Sequence, residues 1–122
     1  MTAPAFSVEV APIEGMPHAS SMALGGRITL DEASAVRSEI LGWLTSTDAS
    51  RIVMELSNVE KMDTSGAAVL AEAIRVGRDH GQSVLLCSPS ESVLRIFRLA
   101  GFEDVLRCCC SDPEETHRRL TS

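Results

Sequence analysis

The sequence predicts an α/β domain built on a mixed, mostly parallel sheet of four to five strands with about four helices. Three observations carry that expectation. Strand-like and helix-like segments alternate along the chain, the pattern of a largely parallel sheet with helical crossovers. Arg51–Leu56 and Ser83–Cys87 are near-continuous apolar runs, as strands buried on both faces require. Helix starts are marked by capping chemistry, in Asp63-Thr64-Ser65-Gly66 and again in Ser88-Pro89-Ser90-Glu91.

Phe6–Ala11 reads as the first strand and Pro12–Ser20 as a turn-rich connection. Ser21–Leu24 with Ile28 reads as the second strand, interrupted by a bend or bulge at Gly25-Gly26. The connection is too tight for a helix, so this first pair is expected to be antiparallel. Glu32–Leu44 is helical, because Ala33, Val36, Ile40, Leu41 and Leu44 recur at three- and four-residue spacing. Thr29 with Glu32 makes a capping box, and Asp31 is a competing N-cap.

After the Arg51–Leu56 strand, a helix is expected from about Ser65 to His80. Ala67, Leu70, Ala71 and Ile74 form its apolar stripe, and Glu72, Arg75, Arg78 and Asp79 its wet face. Gly81 is a left-handed stop before the Ser83–Cys87 strand. The third helix is expected to take Ser88 as N-cap and Pro89 in its first turn, to turn Val93, Leu94, Phe97 and Ala100 inward, and to end at Gly101. A short strand follows near Val105–Cys108. Asp112-Pro113-Glu114-Glu115 then opens a last helix that closes with Arg118 and Arg119, complementing the helix dipole.

The 122 residues suit one domain, 1–122, with its core over about 6–120. Aromatic residues are 3% of the chain, so the core must be aliphatic. A net charge of −6 argues against non-specific binding of nucleic acid or anionic membrane. The absence of a long apolar run argues against membrane insertion. Met1–Pro12 lacks the pattern of a secretory signal, so the expected location is cytoplasmic and the expected state of Cys87, Cys108, Cys109 and Cys110 is reduced. No CxxC spacing suggests a metal, and the cysteines read as small strand residues. P-loop, dinucleotide and G-x-S-x-G signatures are all missing, and His18, His80 and His117 are scattered. The chain is therefore expected to be no enzyme and to carry no cofactor.

Met62-Asp63-Thr64-Ser65-Gly66 is the most informative stretch, since it follows a buried strand and opens a helix. It sets two hydroxyls and a carboxylate where backbone N–H groups are unpaired and the dipole is positive. Two readings stand. One is plain capping by Asp63 or Thr64, with Gly66 for close packing. The other is a site for an anion such as a phosphate. An aspartic protease turn would need Asp-Thr-Gly or Asp-Ser-Gly, and Ser65 breaks both.

The order of elements and this turn resemble the STAS family, which includes bacterial anti-sigma factor antagonists and the cytoplasmic tails of sulfate transporters. The resemblance spans about Phe6 to Leu120 and rests on four places: Gly26-Arg27-Ile28, Ile52–Leu56 with Met62–Gly66, Gly81–Leu86, and Ser88–Phe102 ending Leu99-Ala100-Gly101-Phe102. It implies a partner-switching regulator that binds an anti-sigma factor with serine/threonine kinase activity and so frees a sigma factor, with a phosphatase as a further partner. The phosphorylated residue matching the family is Thr64, with Ser65 as the neighbouring hydroxyl. The docking surface implied comprises Thr29, Asp31, Asp63, Thr64, Ser65, Gly66, Glu72 and Arg75. Family members commonly place an acidic residue three positions after the second-strand glycine; here that position is Thr29, and Asp31 lies two residues on. The alternative is a STAS unit that supports an ABC-type or anion transporter without being phosphorylated.

Overall fold

The computed structural model describes residues 5–121. The expected span 1–122, and the expectation for Met1–Pro12, run past this range at residues 1–4 and 122, which lie outside the described residues. Strands β1 (Phe6–Pro12) and β2 (Ala19–Ile28) form an antiparallel hairpin, and helix α1 (Leu30–Leu44) crosses to β3 (Arg51–Met62). Helix α2 (Thr64–Asp79) leads to β4 (Ser83–Cys87). Helices α3 (Glu91–Ala100) and α4 (Glu103–Arg107) precede β5 (Cys109–Cys110), and α5 (Pro113–Thr121) follows it. The sheet order is β1-β2-β3-β4-β5, and every pair after the first is parallel.

The alternation along β3 and β4 explains their apolar runs. Ile52, Met54 and Leu56, with Val84 and Leu86, join the large core beneath α1 to α4. Val53, Leu85 and Cys87 face the other way, into a smaller cluster with Cys110 and Leu120 under α5. Both faces of these strands are covered, so neither face can be polar. The expected bulge is present: the β2–β3 register shifts on either side of Gly25-Gly26. Gly26 has φ +80°, and a Cβ there would overlap the Ala5 carbonyl oxygen.

Three expectations need correction. β3 runs six residues past Leu56, through Ser57–Met62, because β2 continues alongside it beyond the bulge. Ser88 is not the N-cap of α3. Its N–H bonds Cys110 O at 3.0 Å, which keeps it in the sheet ladder, and its φ of +56° then turns the chain so that Ser90 caps instead. The strand expected at Val105–Cys108 is helix α4 up to Arg107, with strand pairing only at Cys109–Cys110. Glu103 and Asp104 at its start and Arg107 at its end match the helix dipole, and this short helix buries Val105.

Candidate functional site

The site lies where β2 and β3 end. Ile28 and Met62 are register partners, and each is followed by one extended residue and then a helix. The N-termini of α1 and α2 therefore stand side by side at the carboxyl edge of parallel strands, the edge where open α/β sheets present their sites. The close fit depends on Gly66. A Cβ at that position would overlap the Ile28 carbonyl oxygen, so any other residue would push α2 away from β2.

Asp63 is the N-cap of α2 and also its link to α1. Its Oδ1 accepts from Gly66 N at 3.1 Å and its Oδ2 from Leu30 N at 3.0 Å. Burial works to raise this carboxyl, but the N–H groups of Gly66, Leu30 and Ser65 outweigh it and hold the group below the usual carboxylate range. Asp63 thus stays charged, and the capping role is filled without a hydroxyl. Thr64, at the first position of α2, is exposed, and Ser65 is half-buried. Among the described residues neither hydroxyl has a hydrogen-bond partner. The choice of cap between Asp63 and Thr64 falls to Asp63.

Thr29 has the opposite fate. It is only 7% exposed, and its hydroxyl donates to Glu32 Oε1 at 2.6 Å while its N–H donates to the same oxygen at 3.0 Å. The two bonds hold the Glu32 carboxyl below its ordinary range, hydroxyl first. Thr29, expected on the docking surface, is therefore a buried cap of α1, and Gly66 is buried as a packing residue. Asp31 lies inside the first turn of α1, whose N-cap is Thr29, so it is no cap, and its side chain is exposed.

Along α2, Thr64, Ala68 and Arg75 are exposed and Glu72 is half-buried, all on one stripe at spacings of four, four and three. Glu72 is not free. Arg37 of α1 grips it with two bonds of 2.7 Å, from Nε and Nη2. The Arg37 bond is the main force holding the Glu72 carboxyl below its usual range, ahead of the opposing effect of burial. Beyond Arg75, a groove of about 550 Å³ opens between α2 and α4, lined by Arg78, Phe102, Asp104 and Arg107 among others.

Two residues here were missed from sequence. Leu30 is 72% exposed, although its N–H is bonded to Asp63. An exposed apolar side chain thus stands at the start of α1, on the residue whose N–H meets Asp63. The signal was available: stepping back four from Val36 reaches Glu32, so Leu30 falls off the inward stripe of Val36, Ile40 and Leu44. Arg37 carried no such signal, because its partner lies on another helix.

The family described as STAS domain matches residues 11–117, and the chain belongs to it. In solved structures the chain is similar to the anti-sigma factor antagonist SpoIIAA in its unphosphorylated form, with 19% identity, 96% of each chain covered and a TM-score of 0.71. It is similar too to the Bacillus cell fate determinant SpoIIAA in its phosphorylated form, with 18% identity, 95% of this chain and 99% of that one covered, and a TM-score of 0.65. RsbS of Moorella thermoacetica, in a variant carrying glutamate for serine, gives 17% identity, coverage of 93% and 94%, and a TM-score of 0.74. A sulfate transporter family protein of Wolinella succinogenes gives 16%, 86% and 88%, and 0.69. These likenesses show the fold. Among the described residues no helix is long and apolar enough to cross a membrane.

Proposed function

We propose that this member of the STAS family is an anti-sigma factor antagonist, a binding module controlled by phosphorylation of Thr64 and not a catalyst. One observation carries the reading: the Thr64 hydroxyl is exposed at a helix start whose cap is supplied by another residue. Modification there takes nothing from the fold. The partner is an anti-sigma factor with serine/threonine kinase activity, working in the cytoplasm, and a phosphatase resets the switch. One STAS domain spanning the chain makes the contact through Leu30, Asp31, Asp63, Thr64, Ser65 and the Glu72–Arg75 side of α2.

Docking buries Leu30, and a leucine side chain moved from water to an apolar pocket contributes about 1.5–3 kcal/mol. A phosphate on Thr64 adds roughly −1.5 to −2 charges beside Asp31, Glu32 and Asp63. In the free protein the dianion sits against the positive end of α2 and is tolerated. In the complex it must lose its water among carboxylates and next to an apolar contact, and that cost opposes binding. Similarity to SpoIIAA, solved in unphosphorylated and phosphorylated forms, supports the reading.

The test is kinase assay and mapping. With ATP and the anti-sigma factor recovered from the source cell, phosphopeptide mass spectrometry is expected to find the phosphate on Thr64. Thr64→Ala is expected to abolish it. A second reading draws on the similarity to a sulfate transporter family protein. In that case the same surface docks on a transporter subunit, and no phosphate accumulates on Thr64.

A further inference from the structure

The three consecutive cysteines do not share a destination. Cys108 packs in the core beneath α1 to α4, and Cys109 packs partly against that core. Cys110 faces the opposite side of the sheet, in the small cluster that also holds Cys87. Successive strand residues point to opposite faces, so Cys110 alone of the three can meet Cys87. The two are register partners on the parallel pair β4 and β5. Partners on neighbouring strands lie about 4.8 Å apart, inside the range of about 4.4–6.8 Å between Cα atoms that a disulfide spans.

Both sulfurs also turn toward one helix. Thr116 of α5 donates its hydroxyl to Cys87 Sγ at 3.2 Å, and Arg119 Nη1 of α5 lies 3.5 Å from Cys110 Sγ. Both sulfurs are buried, Cys110 at 0% and Cys87 at 3% exposure, each beneath a groove through which an oxidant reaches it as the edge strand opens. Cys87 lies under one of about 250 Å³ with Met16, Val53 and Leu120, and Cys110 under one of about 290 Å³ that Cys109, Pro89, Leu94 and Glu115 also line. β5 is two residues long and stands at the sheet edge, so it can make the small shift that closing a bond between parallel strands requires.

We propose that Cys87 and Cys110 form a reversible disulfide, closed by a low-molecular-weight disulfide such as oxidised glutathione. The Cys110 thiolate attacks one sulfur of the oxidant, forming a mixed disulfide and expelling one glutathione thiolate. The Cys87 thiolate then attacks the Cys110 sulfur and expels the second. Two electrons pass from the protein thiols to the oxidant, and their two protons go to the two departing thiolates. The bond ties β5, and through it α5, to the inner strand β4. Cys109 is the poorer competitor because it lies on the other face of the sheet, packed against the larger core.

The experiment uses the whole chain, reduced and desalted, then incubated under native conditions with oxidised glutathione. Alkylation and digestion without reduction precede mass spectrometry. The expected result is one disulfide joining the Cys87 and Cys110 peptides, with alkylatable thiols falling from the four free cysteines to two and recovering fully in dithiothreitol. Cys109→Ser is expected to form the same bond. Cys87→Ser is expected to halt as the glutathione adduct on Cys110, and if that variant does not fold, the wild-type chain and Cys109→Ser decide the matter. A bond confined to the Cys108–Cys110 run, an adduct on Cys109 alone, or four free thiols after prolonged exposure would overturn the proposal.

Discussion

The β3–α2 and β4–α3 junctions do the same job at the same edge of the sheet, and they use their hydroxyls differently. At β4–α3 the Ser90 hydroxyl is the cap and accepts from Val93 N at 3.2 Å. At β3–α2 a carboxylate caps, and the hydroxyls of Thr64 and Ser65 are left over. The neighbouring β2–α1 junction follows the first pattern in spirit, with the Thr29 hydroxyl committed to Glu32. A hydroxyl at a helix start is open to modification only where it is not also structural. Of the three junctions, the Asp63 turn alone meets that condition.

Substitutions can break this contrast, beginning with the largest effect. Gly66→Ala sets a methyl group into the Ile28 carbonyl oxygen, a backbone atom that cannot swing aside, and is expected to cost about 3 kcal/mol or more. Gly42, exposed in α1 with open space around it, is the control. Gly42→Ala is expected to raise stability by about 0.5–1 kcal/mol, through helix propensity alone. Urea unfolding of both variants measures the difference in sign.

Asp63→Ala comes next, at about 1–2 kcal/mol for a lost N-cap and the loosened Leu30 N–H. This contribution depends on pH in a definite direction. The folded Asp63 carboxyl titrates below its unfolded value near 3.8, so its stabilisation is complete above that pH. It is lost as pH falls further, through the folded value. Asp63→Asn, which can still accept from the helix N–H groups, is expected to flatten this part of the acid limb. An unchanged acid limb in the variant would show that the carboxylate bonds carry no stability.

The hydroxyl pair gives the smallest and most telling effects. Ser90→Ala removes a working cap and is expected to cost about 1 kcal/mol. Thr64→Ala removes nothing that the fold uses and is expected to cost less than about 0.5 kcal/mol. Equal losses in thermal or chemical unfolding would mean that Thr64 also caps α2.

Much of this contrast was legible in the sequence, and its limits are physical. The Val36-Ile40-Leu44 stripe, the Asp63-Thr64-Ser65-Gly66 turn, the left-handed stop at Gly81 and the helix end at Gly101 are local signals, and the structure keeps them. Ser88 misled because its role is set by Cys110 on another strand, which no local pattern records. Ser57–Lys61 hid the far half of β3, since its polar residues give strand pairing with β2 and no apolar run. The turn was found, but its division of labour was not. Asp63 caps α2 through one oxygen, but its other oxygen takes the Leu30 N–H, thirty-three residues away, a contact that no local pattern records. Leu30 was legible in principle, since it falls off the inward stripe of Val36, Ile40 and Leu44, whereas the Arg37–Glu72 pair joins two helices and leaves no local pattern.

Calorimetry of Thr64→Ala and Thr64→Glu against the anti-sigma factor proposed as partner tests the central claim most directly. Both variants are expected to fold, since an acid at the start of α2 is favourable by about 0.3–1 kcal/mol. Thr64→Ala is expected to bind as the wild type does. Thr64→Glu is expected to bind at least about tenfold more weakly, a loss near 1.4 kcal/mol. Equal affinity for the two variants would contradict the account, and the free hydroxyl of Thr64 would then be a surface feature without a switch.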